Sequence, residues 1–92
     1  MSKRALLYFV SYKDSERNSM INYLESLEDN ASYNIEAYTI MIDDTNPIAE
    51  KYKVVRSPTF ILLDDSVEVA RLSDKKITKA KVLDFIKGDY YE

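Results

Sequence analysis

The sequence has 92 residues, of which 46% are hydrophobic and 32% charged, with a formal net charge of −3. This balance is typical of a globular protein, and the length predicts that residues 1–92 form one domain with a modest core. The mild negative charge argues against a large phosphate-binding surface. The chain has no cysteine and no histidine. It therefore lacks thiol chemistry, cysteine-ligated metal, the commonest metal ligand and the usual general base near neutral pH.

No segment approaches the ~18 consecutive apolar residues of a membrane span. Lys3 and Arg4 precede an apolar stretch, but that stretch is short and no small-residue cleavage site follows it, which argues against a signal peptide. We therefore expect a cytoplasmic protein that does not bind membranes.

The first half of the chain predicts a β-α-β unit. The apolar run Ala5–Val10 is typical of a central strand that is buried on both faces. Asp14 or Ser15 is expected to cap the helix that follows. The apolar face of that helix consists of Met20, Ile21, Leu24 and Leu27. A polar turn then leads to a second predicted strand, Ile35–Ile42.

The second half predicts a short helix, a hairpin and a last helix. Asn46 is expected to be the N-cap of the short helix, with Pro47 at its first position. Thr59–Leu63 and Val67–Leu72 predict two strands joined by a tight turn, and Thr78 predicts the cap of the last helix. The predicted order is β-α-β-α-β-β-α, an α/β fold with a four-stranded mixed sheet whose first two strands are parallel.

Four short segments of the chain are similar to segments of the thioredoxin-like superfamily. They are Leu7-Tyr8-Phe9-Val10, Asp44-Thr45-Asn46-Pro47, Tyr52-Lys53-Val54-Val55-Arg56-Ser57-Pro58-Thr59 and Ile77-Thr78-Lys79-Ala80-Lys81-Val82-Leu83. They stand in the superfamily's order and at compatible spacing over nearly the whole chain. The resemblance implies a thioredoxin-like fold, in agreement with the element order.

The redox motif of that superfamily is absent from this sequence. Its two cysteines would stand at Asp14 and Arg17, and neither residue forms a thiolate, so disulfide exchange is excluded. The resemblance therefore indicates a redox-inactive member. One alternative is an enzyme that uses Ser11 or Ser15 with glutathione or another thiol, although the sequence gives no base beside either serine.

The resemblance also implies a binding surface. In the superfamily the proline that matches Pro58 has a cis peptide bond, which leaves the backbone of the residue before it free to pair with an extended peptide. The same fold brings this segment beside the residues that follow the two parallel strands, among them Ser11, Asp43 and Asp44. The expected protein-binding residues are Tyr12, Asp14, Arg17, Arg56, Ser57 and Pro58. No catalytic, cofactor-binding or metal-binding residue is expected.

These features favour a non-catalytic protein-binding module, acting as a regulator, adaptor or inhibitor of another protein. The KaiB family of circadian-clock proteins is also similar to this chain at Leu7-Tyr8, Asn46-Pro47 and Ser57-Pro58-Thr59. That family implies that the fold can serve purely for protein binding. A regulatory protein similar to KaiB is therefore a second alternative.

The remaining surface signals are tyrosines, lysines and one predicted edge strand. We expect Tyr8 and Tyr38 in the core, and the exposed set to be Tyr12, Tyr33, Tyr90 and Tyr91. The lysines between Lys75 and Lys87 permit a nucleic-acid-binding helix, but the absence of stacking aromatics among them favours a solvated face. The strand Val67–Leu72 is a candidate homodimer interface.

Overall fold

The computed structural model describes residues 3–43 and 46–88. Within them the order β-α-β-α-β-β-α is confirmed. The elements are β1 (Arg4–Val10), α1 (Arg17–Glu28), β2 (Ile35–Met41), α2 (Pro47–Lys51), β3 (Thr59–Asp64), β4 (Val67–Ser73) and α3 (Lys79–Ile86). In this part of the chain no helix is both long enough and apolar enough to cross a membrane.

The four strands form one mixed sheet in the order β2-β1-β3-β4. β1 and β2 are parallel, with Val10 opposite Met41 at their carboxyl ends. β3 runs antiparallel to β1, with Thr59 opposite Phe9, and β4 runs antiparallel to β3, with Ser73 opposite Thr59. The ends of β1, β2 and β4 and the beginning of β3 therefore meet at the same end of the sheet.

Hydrophobic clusters cover both faces of the sheet. Tyr8 and Phe60 belong to the cluster under α1 and α3, whereas Phe9 and Ile61 belong to the cluster that includes Ala49 of α2. Neighbouring strand residues point to opposite faces, which explains this division. β1 is buried on both faces as its apolar run predicts, because helices cover the sheet on each side.

Two of the three predicted helix starts are confirmed. The Asn46 side chain accepts a hydrogen bond from the Ile48 amide at 2.9 Å, and the Thr78 hydroxyl accepts one from the Lys81 amide. The expected cap of α1 is wrong, because α1 begins at Arg17 behind a residue whose side chain makes no capping bond. Asp14 instead accepts a hydrogen bond from the Ser11 amide at 2.8 Å. This contact closes the turn before the helix.

The expectation for Tyr38 is also wrong, because its side chain is 49% exposed. It lies on the edge strand β2, on the face that carries α2, and α2 is only five residues long. A short helix leaves part of that face open to solvent. Tyr8 is buried and Tyr12 is exposed as expected, while Tyr33 packs partly against the core. Tyr90 and Tyr91 lie outside the described residues.

Candidate protein-binding site

A hydrogen-bonded turn follows β1 at the end of the sheet. Asp43, which comes directly after β2, fastens this turn through both carboxylate oxygens. One accepts a hydrogen bond from the Ser11 hydroxyl and the other from the Tyr12 amide, each at 2.9 Å. The bond from the Tyr12 amide, with a smaller contribution from Ser11, lowers the pKa of Asp43 below its usual range. The turn is therefore held to β2 by a charged carboxylate.

Arg17 fixes the aromatic side of the same turn. Its guanidinium donates a hydrogen bond to the Tyr12 carbonyl at 2.9 Å and lies 5.4 Å from the centre of the Tyr12 ring. Tyr12 is 57% exposed, so this cation–π contact leaves much of its side chain accessible. Arg17 contacts the turn itself, and the expected cluster of Ser11, Tyr12, Arg17 and Asp43 is present. Asp44, which the sequence also assigns to this cluster, lies outside the described residues.

The segment before β3 lies at the same end of the sheet. The Thr59 hydroxyl donates a hydrogen bond to the Arg56 carbonyl at 2.8 Å, and the peptide bond between Ser57 and Pro58 is cis. Ser57 is half-buried. Its backbone N–H and C=O make no hydrogen bond to any residue in the ranges 3–43 and 46–88. Ser57 therefore offers one main-chain donor and one main-chain acceptor to a ligand.

A cleft of about 850 Å³ opens beside this segment, between the beginnings of α1 and α3. We call it the sheet-end cleft. Its lining includes Asp14, Ser19, Pro58, Phe60, Lys75 and Lys76. Asp14 and Pro58 are thus the predicted binding residues that line the cleft. The other four predicted binding residues, Tyr12, Arg17, Arg56 and Ser57, are not part of its lining.

The wall of the cleft that follows β4 was not predicted. The sequence favours a solvated helix face for Lys75 and Lys76, with a nucleic-acid surface as the alternative. One available signal is the predicted hairpin. In an antiparallel pair, the residues that leave the second strand lie beside those that enter the first, which here brings Lys75 towards Pro58.

The floor of the cleft contains a stacked pair of aromatic rings. The rings of Tyr8 and Phe60 are 4.6 Å apart between centres and inclined by 12°. Tyr8 is 2% exposed, and burial raises the pKa of its hydroxyl to about 12. This hydroxyl is therefore protonated throughout the physiological pH range.

The raised pKa of Tyr8 predicts a loss of stability in alkali. An unfolded tyrosine loses its proton near pH ~10, whereas folded Tyr8 keeps it up to about 12. The stabilisation from this difference is fully present below pH ~10 and is lost as the pH rises through the folded value. Urea unfolding at several pH values should show a steeper alkaline fall for the wild type than for Tyr8→Phe. An equal fall of the free energy of unfolding with pH in the two proteins would contradict the raised pKa of Tyr8.

The serine-based alternative gains one observation from the structure. The sequence suggests no base near Ser11, yet the Asp43 carboxylate accepts a hydrogen bond from its hydroxyl at 2.9 Å. Because the pKa of Asp43 is lowered, this carboxylate is a weak base. Ser15 lines the cleft, and its hydroxyl makes no hydrogen bond to another described residue. Among the described residues, no group of acidic or other ligating side chains could hold a metal ion.

Comparison with solved structures identifies the architecture. A thioredoxin from Fasciola hepatica has a TM-score of 0.76 and 22% identity, covering 92% of this chain and 79% of its own. This chain has a thioredoxin-like fold. Thioredoxin-2 of the malaria parasite matches with a TM-score of 0.72 and 22% identity, over 94% of this thioredoxin-like chain and 82% of its own. Thioredoxin 1 of Thermosipho africanus matches with a TM-score of 0.74 and 20% identity, over 90% of each chain. No protein-family model and no curated protein matches the sequence.

Proposed function

We propose that this thioredoxin-like domain is a cytoplasmic, redox-inactive and non-catalytic module that binds another protein as a regulator, adaptor or inhibitor. An extended segment of the partner pairs with the backbone of Ser57. Its side chains enter the sheet-end cleft on one side and contact Tyr12 on the other. Arg56, which is exposed, borders the same path.

The unpaired backbone of Ser57 is the observation that carries this proposal. A backbone N–H and C=O that have no partner inside the protein and are not fully buried can pair with the backbone of another chain. Ser57 is half-buried and lacks such a partner within the described chain. A strand laid across Ser57 would supply both bonds, which is the main-chain part of peptide recognition by strand addition.

The turn around Tyr12 supports the same location. Tyrosine is enriched at protein interfaces because it joins a large apolar area to a polar tip. Here the Tyr12 amide is bound to Asp43, its carbonyl to Arg17 and its ring lies under the Arg17 guanidinium. A side chain held in place before binding loses little conformational entropy when a partner arrives.

Amide hydrogen exchange at Ser57 tests the proposed function. The partner is captured from extracts of the native host, reduced to its shortest binding fragment and mixed with the isotopically labelled domain. We expect the Ser57 amide to exchange about fivefold more slowly in the complex, as a hydrogen bond of ~1 kcal/mol implies. Unchanged exchange at Ser57, with new protection along the exposed edge of Val67–Ser73 instead, would overturn the proposal.

A further inference from the structure

The floor of the sheet-end cleft carries an unused hydrogen-bond donor. Tyr8 is 98% removed from solvent and lines the cleft. Its hydroxyl makes no hydrogen bond to any described residue, and it is not among the polar atoms sealed from solvent. The hydroxyl therefore faces the cleft. A hydroxyl that faces the cleft and has no partner in the described chain can donate to an acceptor that a ligand brings, and the bond is stronger once the ligand excludes water.

The wall that follows β4 supplies positive charge. The ammonium groups of Lys75 and Lys76 form no ion pair within the described part of the chain, although both residues line the cleft. Two neighbouring lysines are engaged elsewhere, since Lys81 lies 3.2 Å from the Asp74 carboxylate and Lys79 lies over the Tyr23 ring. The charges of Lys75 and Lys76 are therefore available to a ligand in the cleft, and Lys79, which also lines it, keeps its charge beside the Tyr23 ring.

The beginning of α3 adds to the positive potential of this wall. Thr78 accepts the hydrogen bond of the Lys81 amide, and the residues of the first turn, Lys79 and Ala80, line the cleft. The first amides of a helix have no partner inside the helix and carry its positive end. An anion at this wall would thus meet a hydroxyl, two ammonium groups and a helix terminus.

The opposite wall carries negative charge and restricts where an anion can lie. Asp14 and Glu16 line it at the beginning of α1. The Asp14 carboxylate is turned towards the Ser11 amide, whereas Glu16 forms no ion pair with a described residue. These charges repel an anion from the α1 side and also act on the Tyr8 hydroxyl, so an anion that reaches the hydroxyl approaches it from the side of Lys75 and Lys76.

We propose that the sheet-end cleft receives a negatively charged side chain, a carboxylate or a phosphate, from the partner segment. Tyr8 donates a hydrogen bond to this group, and Lys75 and Lys76 supply the opposite charge. The proposal rests on the docking of an extended partner segment at Ser57. It adds the chemical class of the partner side chain that enters the cleft. Glu16 disfavours the same group and so limits the affinity.

Peptide libraries with one fixed residue test this selection. Fluorescein-labelled octapeptides carry glutamate, phosphoserine, glutamine or lysine at the centre and random residues elsewhere, and fluorescence anisotropy measures their binding. The glutamate or phosphoserine library should bind about tenfold more tightly than the glutamine library, as a charge-assisted hydrogen bond implies. The comparison of glutamate with phosphoserine identifies the source of the anion. Added salt should weaken the preference.

Substitutions in the cleft assign the preference to its residues. The double variant Lys75→Gln and Lys76→Gln should abolish the preference for the glutamate library over the glutamine library. Tyr8→Phe should reduce this preference several-fold, and Glu16→Gln should increase it. Lys53→Gln is the matched control, because Lys53 is exposed and lies outside the cleft lining. Since Tyr8→Phe keeps the ring stacked on Phe60, a folded variant is expected.

The outcomes separate this proposal from the docking proposal. Equal binding of the glutamate and glutamine libraries, tightest binding of the lysine library, or no binding of any library would each overturn anion selection. Equal binding accompanied by slow exchange of the Ser57 amide would leave docking intact. A glutamate preference that depends on Lys75 and Lys76, with unchanged exchange at Ser57, would support the anion site and reject docking at Ser57.

Discussion

Replacing Phe60 by alanine is expected to remove a large part of the stability of this protein. Phe60 has no exposed surface, stands in the central strand β3 and stacks on Tyr8. Truncating a buried phenylalanine leaves a cavity and typically costs ~3–5 kcal/mol, to which the lost aromatic pair contributes. A domain of this length has a free energy of unfolding of roughly 5–14 kcal/mol. Phe60→Ala should therefore have a much smaller free energy of unfolding than the wild type and should unfold at lower urea concentration and lower temperature.

Urea and thermal unfolding measure this loss. At about 4–8 °C per kcal/mol for a domain of this size, the melting temperature should fall by at least about 12 °C. The matched control is Val55→Ala, because Val55 is 86% exposed and its truncation should change the free energy of unfolding by less than ~0.5 kcal/mol. A loss below ~1 kcal/mol in Phe60→Ala would contradict the packing described for the sheet.

Local signals were sufficient to predict most of the fold. The Asn46-Pro47 pair and Thr78 fix helix starts through bonds to amides two or three residues away, so no distant information is needed. The alternation in β2 likewise predicts opposite faces for Ile40 and Met41, which join different hydrophobic clusters. These features depend on residues close together in the chain.

The errors concern choices that distant residues decide. An aspartate before a helix can cap that helix or close the turn that precedes it. Asp14 closes the turn by accepting a hydrogen bond from the Ser11 amide, and the same turn is bound to Asp43, which is distant in the chain. The period of β2 gives the face on which Tyr38 lies, but the length of α2 determines whether that face is covered. Neither decision can be read from the neighbouring sequence.

The candidate site was predicted in part for the same reason. The resemblance to thioredoxin-like proteins brings Tyr12 and Ser57 to one end of the sheet, and the missing cysteines are evident from composition. The lysine wall of the cleft lies beside Pro58 because β4 pairs with β3, which brings the residues after β4 to the beginning of β3. The Tyr8 hydroxyl is a candidate ligand donor because no described residue accepts a hydrogen bond from it, and the sequence alone does not reveal that.

Filling the sheet-end cleft with a bulky side chain tests the central claim, that a partner segment lies there. Ser19 is exposed and lines the cleft, so Ser19→Trp occupies the space without touching the core. Ser26 is exposed on the same helix, two turns or ~10 Å further along and outside the cleft lining. Ser26→Trp therefore adds the same side chain to the same helix without filling the cleft.

The deciding measurement is the dissociation constant of the captured partner fragment for these two variants, with urea midpoints as a check on folding. We expect Ser19→Trp to weaken binding about 100-fold, which corresponds to ~2.7 kcal/mol, because the segment and the indole cannot share the cleft. Ser26→Trp should stay close to the wild type, and both variants should unfold at the wild-type urea concentration. Equal affinity of the two folded variants would show that the partner does not enter the cleft.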